Sequence, residues 1–363
     1  MNSSNWLRHA LLGSAGLCLM ASGAHADTTF NFSPVADMAA PTTEVTISGN
    51  VRGLINTQKT TGQDWETDLS SRLRLYIRGK TETSIGEVGV YSRLQATSGG
   101  EVDASSYYGY WKISPETTLT AGHNDTVAAI VYGADWNGTG GVWSGSAVAL
   151  TDPGVDFASL GFGTGPITAT VGVETNTSAK ASDDQTLQAG MPAIAGSVNV
   201  KQGDFSAQIA SRFQGSDGTA EGKNGYMIGG GIGYSAGLAS LELGAATGKG
   251  MAKDFTTFDL SNVDALGTEF TAVNALLTLR MSDTTRLETF ASYGKLNLSG
   301  GVETDGNPEK LVGLGSGVFW TPVTQLTLGA SASWSKTSYD DNNQTPVNAE
   351  KNTTLGVGAW FSF

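Results

Sequence analysis

The sequence predicts an all-β protein, a closed antiparallel transmembrane β-barrel of 16 strands, from its composition, its alternating side-chain polarity and the spacing of its connectors. The 363 residues include 49 glycines but only 9 prolines, and threonine and serine are frequent throughout. Such a composition disfavours helices and collagen-like structure alike. No segment after the N-terminal region approaches 18 consecutive apolar residues, so a membrane would have to be crossed by strands.

The first 26 residues have the pattern of a secretory signal peptide. A charged patch around Arg8 precedes an apolar run, and a small-x-small cleavage site ends at Ala26. The run, at about 12 residues, is too short to span a bilayer as a helix, which needs roughly 20. A lipoprotein anchored through Cys18 is the alternative, but Leu17 stands where lipid-attachment sites carry a small residue. We therefore expect cleavage after Ala26.

Cleavage there would remove the only cysteine, Cys18, and leave a chain that can form no disulfide. A secreted domain of this length can be held together by burial and backbone pairing alone. The remaining residues carry 20 basic and 34 acidic side chains, a formal charge of −14. Because nucleic acids attract basic surfaces, this balance argues against nucleic acid as a partner.

Apolar and polar side chains alternate along most of the chain, as in strands with one apolar face. At the C-terminus every second residue from Leu355 to Phe363 is apolar, with glycine, tryptophan or serine between. Sixteen segments have this character, namely residues 45–52, 73–78, 87–95, 107–114, 119–123, 155–163, 167–174, 187–200, 205–213, 226–234, 241–247, 270–281, 287–296, 311–320, 326–334 and 355–363.

Connectors of two kinds alternate between these segments. Every second connector is short and turn-like, at residues 82–86, 114–117, 164–166, 201–204, 235–237, 282–285 and 321–324. The others are longer and polar, such as residues 59–67, 248–268, 299–308 and 337–350. A meander with short turns at one rim and long loops at the other is the layout of outer-membrane barrels.

A soluble β-sandwich is the alternative fold, since its strands also alternate apolar and polar residues. The length of the chain and the even spacing of its strands favour the barrel. Many aromatic residues also fall toward the predicted strand ends, where membrane interfaces favour them. These residues are Trp111, Tyr234, Tyr293, Phe319, Trp320, Trp334, Phe361 and Phe363.

With these features the chain resembles the general diffusion porins of Gram-negative bacteria, closest to the trimeric porins of α-proteobacteria. It matches them in the signal peptide, the 16 strands, the last strand ending in Phe363 and one very long connector after the fifth strand. The resemblance implies a C-terminal signal, Phe361 and Phe363, for the outer-membrane assembly machinery. We divide the chain into signal peptide (1–26), a flexible or plug-like leader (27–43) and porin domain (44–363).

In that family the third loop folds into the lumen and narrows it, with acidic groups facing a basic cluster on the wall. The resemblance implies that the connector at residues 124–153 is this loop. Its expected constriction residues are Asp125, Tyr132, Asp135, Trp136, Trp143 and Asp152. The expected basic cluster is Arg52, Arg72, Arg74, Arg78 and Arg93, which share the inward phase of the first three strands.

These arginines are expected to face the lumen, because a charge facing lipid costs about 2–4 kcal/mol at the midplane. We hypothesise that basic wall and acidic loop set up a transverse field, which orders water and disfavours apolar solutes. The alternative is that they are ordinary solvated residues without a selective role. The summed charge favours weak cation selectivity, and the arginine cluster opposes it locally.

Three functions fit this architecture. Passive diffusion of ions and small hydrophilic solutes across the outer membrane is the favoured one. A substrate-specific channel for sugars or organic acids is the second, with Tyr108, Tyr110, Tyr132, Trp136 and Trp143 as a stacking track. The third is a structural or adhesion barrel whose external loops bind a partner and whose lumen is closed to ions.

The residues for enzymatic chemistry are missing, so we expect no enzyme. His123 is the only histidine beyond residue 26, and no cysteine or multi-histidine cluster could hold zinc or iron. We expect no cofactor, although residues 340–343 (Asp-Asp-Asn-Asn) could bind Ca²⁺, for instance as an ion bridging to lipopolysaccharide. The expected partners are membrane lipid, lipopolysaccharide, the assembly machinery and two further copies of the chain. The small, Gly-rich residues 228–232 would let barrels approach closely in this homotrimer.

Overall fold

The computed structural model describes residues 28–32, 43–98, 100, 102–133, 154–175, 192–215, 224–251, 268–297, 308–339 and 349–363. Every regular element in these ranges is a β-strand. Within the same ranges, no helix is long and apolar enough to cross a membrane. The predicted signal peptide lies outside the described residues.

Seventeen strands follow one another along the chain. They are β1 (Thr28–Phe32), β2 (Thr43–Thr60), β3 (Glu66–Thr83), β4 (Gly86–Thr97), β5 (Val102–Lys112), β6 (Thr117–Asp125), β7 (Gly154–Thr164), β8 (Ile167–Glu174), β9 (Ala193–Gln202), β10 (Phe205–Gln214), β11 (Gly225–Ala236), β12 (Ala239–Lys249), β13 (Glu269–Arg280), β14 (Thr285–Asn297), β15 (Pro308–Val323), β16 (Leu326–Tyr339) and β17 (Glu350–Ser362). Each strand from β2 to β17 pairs antiparallel with the next, and β17 pairs with β2. The sheet is therefore a closed barrel of 16 strands, as predicted.

Alternation along the strands places apolar side chains outside and packed or polar ones inside. In β13, Val273 and Leu277 are 43% and 37% exposed, whereas Ala272 and Leu276 are 0% and 1% exposed. A soluble sandwich would bury the apolar face, but a barrel in lipid turns it outward. The exposed apolar band is thus a property of a membrane barrel.

The two rims differ as the connectors predicted. At one rim, two-residue turns join β7 to β8, β9 to β10 and β11 to β12, and each begins with a glycine. Gly165, Gly203 and Gly237 have φ angles of 54°, 58° and 57°, a left-handed conformation that tight hairpin turns require. At the other rim lie the long connectors. We call these the turn rim and the loop rim.

Strand β1 differs from the predicted flexible or plug-like leader, because Thr28–Phe32 pairs antiparallel with Thr43–Ile47 of β2. The other edge of β2 is occupied by β3 along this stretch. On the β1 side, β17 pairs with β2 only from Asn50 onward. Strand β1 therefore continues the line of β17 toward the turn rim and covers a sheet edge that would otherwise be unpaired.

Candidate constriction site

Five arginines lie on the inner faces of three neighbouring strands, and we call them the basic wall. Arg52 is on β2, Arg72, Arg74 and Arg78 are on β3, and Arg93 is on β4. They are five of the nine arginines in the chain. The strand register brings them together, since Arg52 lies directly opposite Arg72. The register therefore places these arginines on neighbouring strands, and their role at a constriction stays a prediction.

Neutral groups hold three of these guanidinium groups. Arg74 donates from Nε to the Gln95 side-chain oxygen at 2.7 Å. Arg93 donates to the Ser105 hydroxyl at 2.8 Å. The guanidinium carbon of Arg78 lies 5.7 Å from the centroid of the Tyr91 ring, a cation–π contact. These contacts orient the side chains without neutralising their positive charge.

The basic wall has one acidic neighbour among the described residues. Asp125, the last residue of β6, lies 4.0 Å from Arg93. No carboxylate in the described ranges comes within ion-pairing distance of the other four arginines. Directly opposed like charges on one face of a sheet are destabilising, so folding alone does not account for Arg52 beside Arg72.

A row of aromatic rings runs across the inner wall beside the arginines. Tyr91 and Tyr108 are stacked with centroids 5.0 Å apart, and Tyr76 lies 6.5 Å from Tyr91. Beyond them the Phe157 ring lies 6.4 Å from Tyr108. Gly122 separates these two in the sheet, and a Cβ there would lie 2.5 Å from the Tyr108 Cα. The glycine thus lets the two rings approach across β6.

The opposite side of the lumen is packed, beginning with the third loop. Residues 126–133 follow β6 and run along the inner faces of β8 and β10–β12. Ala129 accepts a hydrogen bond at 2.8 Å from the Gln208 side chain on β10. The Gly133 N–H donates to Glu242 on β12 at 3.3 Å. The described part of the third loop therefore folds inward, as the family resemblance implied.

A buried ion pair fixes the start of this loop. The Glu174 carboxylate accepts hydrogen bonds from the Thr126 hydroxyl at 2.7 and 2.9 Å and from the Val127 N–H at 2.6 Å. Arg212 donates to the same carboxylate at 2.9 Å, and both charged side chains are fully buried. Because its donors satisfy the carboxylate from several sides, the charge can be kept away from water.

Apolar contacts complete this side, which we call the packed wall: residues 126–133 with the inner faces of β8–β15. One buried cluster joins the loop to the barrel through Val127, Ala128, Ile130, Ala195, Ala210, Met227, Ala246, Met251, Phe270, Ala272, Leu296 and Leu311. A second cluster contains Leu276, Phe290 and Phe319 of this wall together with Leu54 of β2, and so joins the packed wall to the strand of Arg52. Packed side chains therefore occupy lumen volume that would otherwise hold water.

Tyr132 lies on the packed wall, away from the arginines. Its ring fits over two inward-facing glycines of β11, since a Cβ at Gly231 would lie 2.3 Å from the Tyr132 side chain and one at Gly233 would lie 3.0 Å from it. The Tyr110 hydroxyl is bonded to Glu87 at 2.9 Å. Tyr108, Tyr110 and Tyr132 thus do not form the continuous stacking track considered for a substrate-specific channel.

The remaining predicted site residues are distributed as follows. Asp135, Trp136, Trp143 and Asp152 lie outside the described residues, as do residues 340–343. In the ranges described, no cluster of histidine, cysteine, aspartate or glutamate could hold a metal ion. Phe361 and Phe363 are exposed at the turn rim. Phe363 exchanges backbone hydrogen bonds of 2.8 and 3.0 Å with Gly49.

The sequence did not predict the contacts that hold the third loop against the wall, which we call the clamp of the third loop: those of residues 126–133 with Glu174, Gln208 and Glu242. It also did not predict part of the aromatic row. The inward phase of β10 places Gln208 and Arg212 in the lumen, but alternation does not identify their partners. Glu174 and Tyr91 likewise have an inward phase that could have drawn attention. Only the strand register brings Glu174 to Arg212, which is 38 residues away.

His123 lies on the outer face near the loop rim. Its ring stacks on Tyr107 with centroids 5.4 Å apart. The Nδ1 atom lies 2.8 Å from the Asp156 carboxylate on the neighbouring strand. The histidine therefore forms part of the outer surface and has no place in the constriction.

Comparison with known proteins agrees with this architecture. The sequence profile of a family described as Gram-negative porin matches residues 13–363. Among solved structures, the outer membrane channel DcaP of Acinetobacter baumannii is 16% identical with a TM-score of 0.72, covering 88% of this chain and 97% of that one. The anion-selective porin from Comamonas acidovorans is 14% identical with a TM-score of 0.62, covering 88% of this chain and 100% of that one.

OmpT of Vibrio cholerae is also 14% identical, with a TM-score of 0.59, covering 88% of this chain and 98% of that one. At these identities the solved structures support the fold alone. No curated protein matches the chain.

Proposed function

We propose, from the premise that this chain belongs to the Gram-negative porin family, that its channel selects solutes by charge at the basic wall and favours anions there. As a porin it is a channel protein rather than an enzyme, and it lies in the outer membrane of a Gram-negative bacterium. Solutes cross it by passive diffusion. The proposal concerns which of the small hydrophilic solutes pass most readily, and by which route.

The uncompensated charge of the basic wall carries this proposal. Four of its five arginines have no carboxylate within ion-pairing distance among the described residues, and Arg52 lies directly opposite Arg72. Keeping such charges together inside a narrow space is costly unless an anion or water compensates them. A passing anion supplies that compensation, whereas a cation is repelled.

Two features would make the basic wall the narrow part of the route. Residues 126–133 and the apolar clusters fill the lumen on the side of β8–β15. Asp125 faces Arg93 at 4.0 Å, which gives an acidic counterpart to the basic wall and the start of a transverse field. Such a field orders water and disfavours apolar solutes that would displace it.

The test is the reversal potential of single channels in a KCl gradient across a planar bilayer. We expect the unmodified protein to conduct Cl⁻ in preference to K⁺. Replacing Arg72, Arg74 and Arg78 with serine should shift the reversal potential toward cation selectivity and raise single-channel conductance, because three large charged side chains leave the path.

A matched variant separates local from global charge. Lys112, Lys201 and Arg280 are inward-phase cations near the turn rim, so replacing them with serine removes the same charge outside the basic wall. This control should shift the reversal potential by less than half of the shift caused by replacing Arg72, Arg74 and Arg78. Equal shifts in the two variants, or no shift in the arginine variant, would contradict the proposal that the basic wall lines the constriction.

The protein is further proposed to assemble as a homotrimer through a small, apolar outer face. The side-chain directions on β11 correct one detail of the expected surface: Ile228, Gly230 and Ile232 point outward, whereas Gly231 faces the lumen and receives Tyr132. A Cβ at Gly230 would lie 2.3 Å from the Gln208 backbone oxygen of the same barrel, so the test enlarges a neighbouring side chain instead. Replacing the exposed Ile228 with tryptophan should block close approach of barrels. Conductance steps in groups of three should then become single steps; unchanged groups of three would place the interface elsewhere.

The C-terminal residues are proposed to serve recognition by the outer-membrane assembly machinery. Phe361 and Phe363 remain exposed in the finished barrel, so their aromatic character is not needed to fill an interior. Replacing Phe363 with alanine keeps its backbone bonds to Gly49 available. We expect the variant to refold in detergent as well as the unmodified protein but to reach the outer membrane in cells at a reduced level.

A further inference from the structure

Among the described residues, the outer surface near the loop rim carries lysines on one side of the barrel only, on β12, on β14–β17 and on β2. One of them, Lys249 on β12, pairs with Glu269 at 3.4 Å. The others are Lys59 on β2, Lys295 on β14, Lys310 on β15, Lys336 on β16 and Lys351 on β17, and we call these five the outer lysine face. Each has the outward phase of its strand, the phase shared by Tyr293, Leu314 and Leu355, which are exposed.

The strand register brings these lysines into direct opposition. Lys295 lies directly opposite Lys310 on the neighbouring strand. Lys336 lies directly opposite Lys351, and Lys59 lies opposite Thr353, two residues further along β17. Like charges opposed in this way destabilise a sheet. Two such pairs on adjoining strands indicate an anionic partner outside the chain.

Few carboxylates compensate this charge. Lys310 pairs with Glu309 at 2.9 Å. In the part of the chain that the structure describes, Lys295, Lys336 and Lys351 have no carboxylate within ion-pairing distance, and Lys59 lies 6.0 Å from the Trp65 ring centroid. The described outer faces of β4–β11 carry no lysine or arginine, so the charge is confined to one side.

The order of side chains along the strands gives the depth of this face. On the outer face of β16, the small residues Ala330 and Ala332 are followed toward the loop rim by Trp334 and then by Lys336. On β17, Val357 and Leu355 are exposed below Lys351. Apolar residues, then aromatic residues, then lysines correspond to hydrocarbon, interface and headgroup in a bilayer. Long loops mark the external side of such barrels, so the lysines lie at the headgroups of the outer leaflet.

We propose that the outer lysine face binds the phosphate groups of the phosphorylated glycolipid of the outer leaflet. The lipid phosphates would lie between the opposed lysines, accept hydrogen bonds from their ammonium groups and relieve the repulsion within each pair. The acyl chains would cover the exposed apolar residues below. The inference is independent of ion selectivity, because these side chains are outside the lumen.

The probe is bisphosphorylated lipid A, added to the purified full-length barrel in neutral detergent and counted by native mass spectrometry. We expect at least tenfold weaker binding when Lys59, Lys336 and Lys351 are replaced with glutamine, and retained binding when they are replaced with arginine. The matched control replaces Lys80, Lys112 and Lys201 with glutamine, which removes the same charge from inward positions near the turn rim, and should bind as the unmodified protein does.

Equal binding by the two glutamine variants would overturn the proposal, as would equal binding of fully dephosphorylated lipid. Displacement by inorganic phosphate at the lipid's own concentration would also overturn it, since the site would then recognise free anions. If the first variant does not fold, acylation of the unmodified protein provides the test. Lipid A should slow the labelling of Lys336 and Lys351 at least fivefold without slowing that of Lys201; uniform labelling would contradict the inference.

Discussion

The basic wall and the packed wall occupy opposite sides of one lumen and use the same alternation of side chains, yet they treat charge in opposite ways. On the packed wall, Arg212 is fully buried and paired with Glu174. On the basic wall, Arg52 lies directly opposite Arg72 and neither has a carboxylate partner among the described residues. Both groups of arginines face the lumen, so their position does not distinguish them. An arginine paired with a carboxylate stabilises the fold, whereas an arginine without one remains available to bind a solute.

Breaking the buried pair should have the largest effect. Replacing Glu174 with alanine removes the buried carboxylate that accepts hydrogen bonds from Arg212 and from the Val127 N–H, and so frees the start of the third loop. Loss of one partner of a buried ion pair costs about 3–5 kcal/mol. Urea-induced unfolding in detergent should register this loss, and single-channel recording should show a larger, noisier conductance.

The matched control is Glu44, whose ion pair with Lys80 is about one-third exposed on both sides. Its replacement by alanine should cost at most about 1 kcal/mol, because water screens exposed pairs. If the two substitutions destabilised the barrel equally, the packed wall would not depend on the buried pair.

Crowding the contact between loop and wall should have an intermediate effect. A Cβ at Gly231 would lie 2.3 Å from the Tyr132 side chain and 2.7 Å from the Leu243 carbonyl oxygen. We expect Gly231→Ala to cost about 1–3 kcal/mol, as overpacking does, and to increase conductance as the loop shifts.

Gly53 provides the comparison for that substitution, because its Cβ would meet no atom within 4 Å. Gly53→Ala should leave both conductance and the urea midpoint within experimental error. A similar loss from Gly53→Ala would attribute the effect to the sheet backbone instead of the contact with Tyr132.

The smallest effect should have the opposite sign. Arg72→Gln removes one of two directly opposed like charges, so we expect a gain in the free energy of unfolding of about 0.2–1 kcal/mol, together with weaker anion preference. Arg212→Gln should instead destabilise the barrel, because it removes the cation that donates a hydrogen bond to the buried Glu174 carboxylate. If Arg72→Gln and Arg212→Gln destabilised the barrel by similar amounts, the proposed difference between the basic wall and the packed wall would be contradicted.

The strands and the basic wall could be predicted from sequence because both depend on a period of two. Arg72, Arg74 and Arg78 alternate with Leu73, Leu75 and Ile77, and only one phase of that strand can face lipid. Position within the alternation was sufficient to place each side chain inside or outside.

The clamp of the third loop could not be predicted in the same way. Residues 126–133 have no regular period, and their path depends on Glu174, Gln208 and Glu242 from three later strands. The packing of Tyr132 over Gly231 and Gly233 of β11 was not foreseen, because it depends on the path of the loop. Strand β1 was missed because five residues are too few for alternation to be recognised.

The most direct test of the account is the access of charged thiol reagents to the two walls. The only cysteine in the sequence is Cys18, within the predicted signal peptide, so single cysteines can be placed at Gln95 on the basic side and at Ser292 on the packed side. Gln95 bonds to Arg74, whereas Ser292 is buried. An anionic methanethiosulfonate should block current through Gln95→Cys at least tenfold faster than its cationic counterpart and leave Ser292→Cys unchanged. Equal reaction at the two positions, or faster reaction of the cationic reagent at Gln95→Cys, would contradict passage of anions along the basic wall.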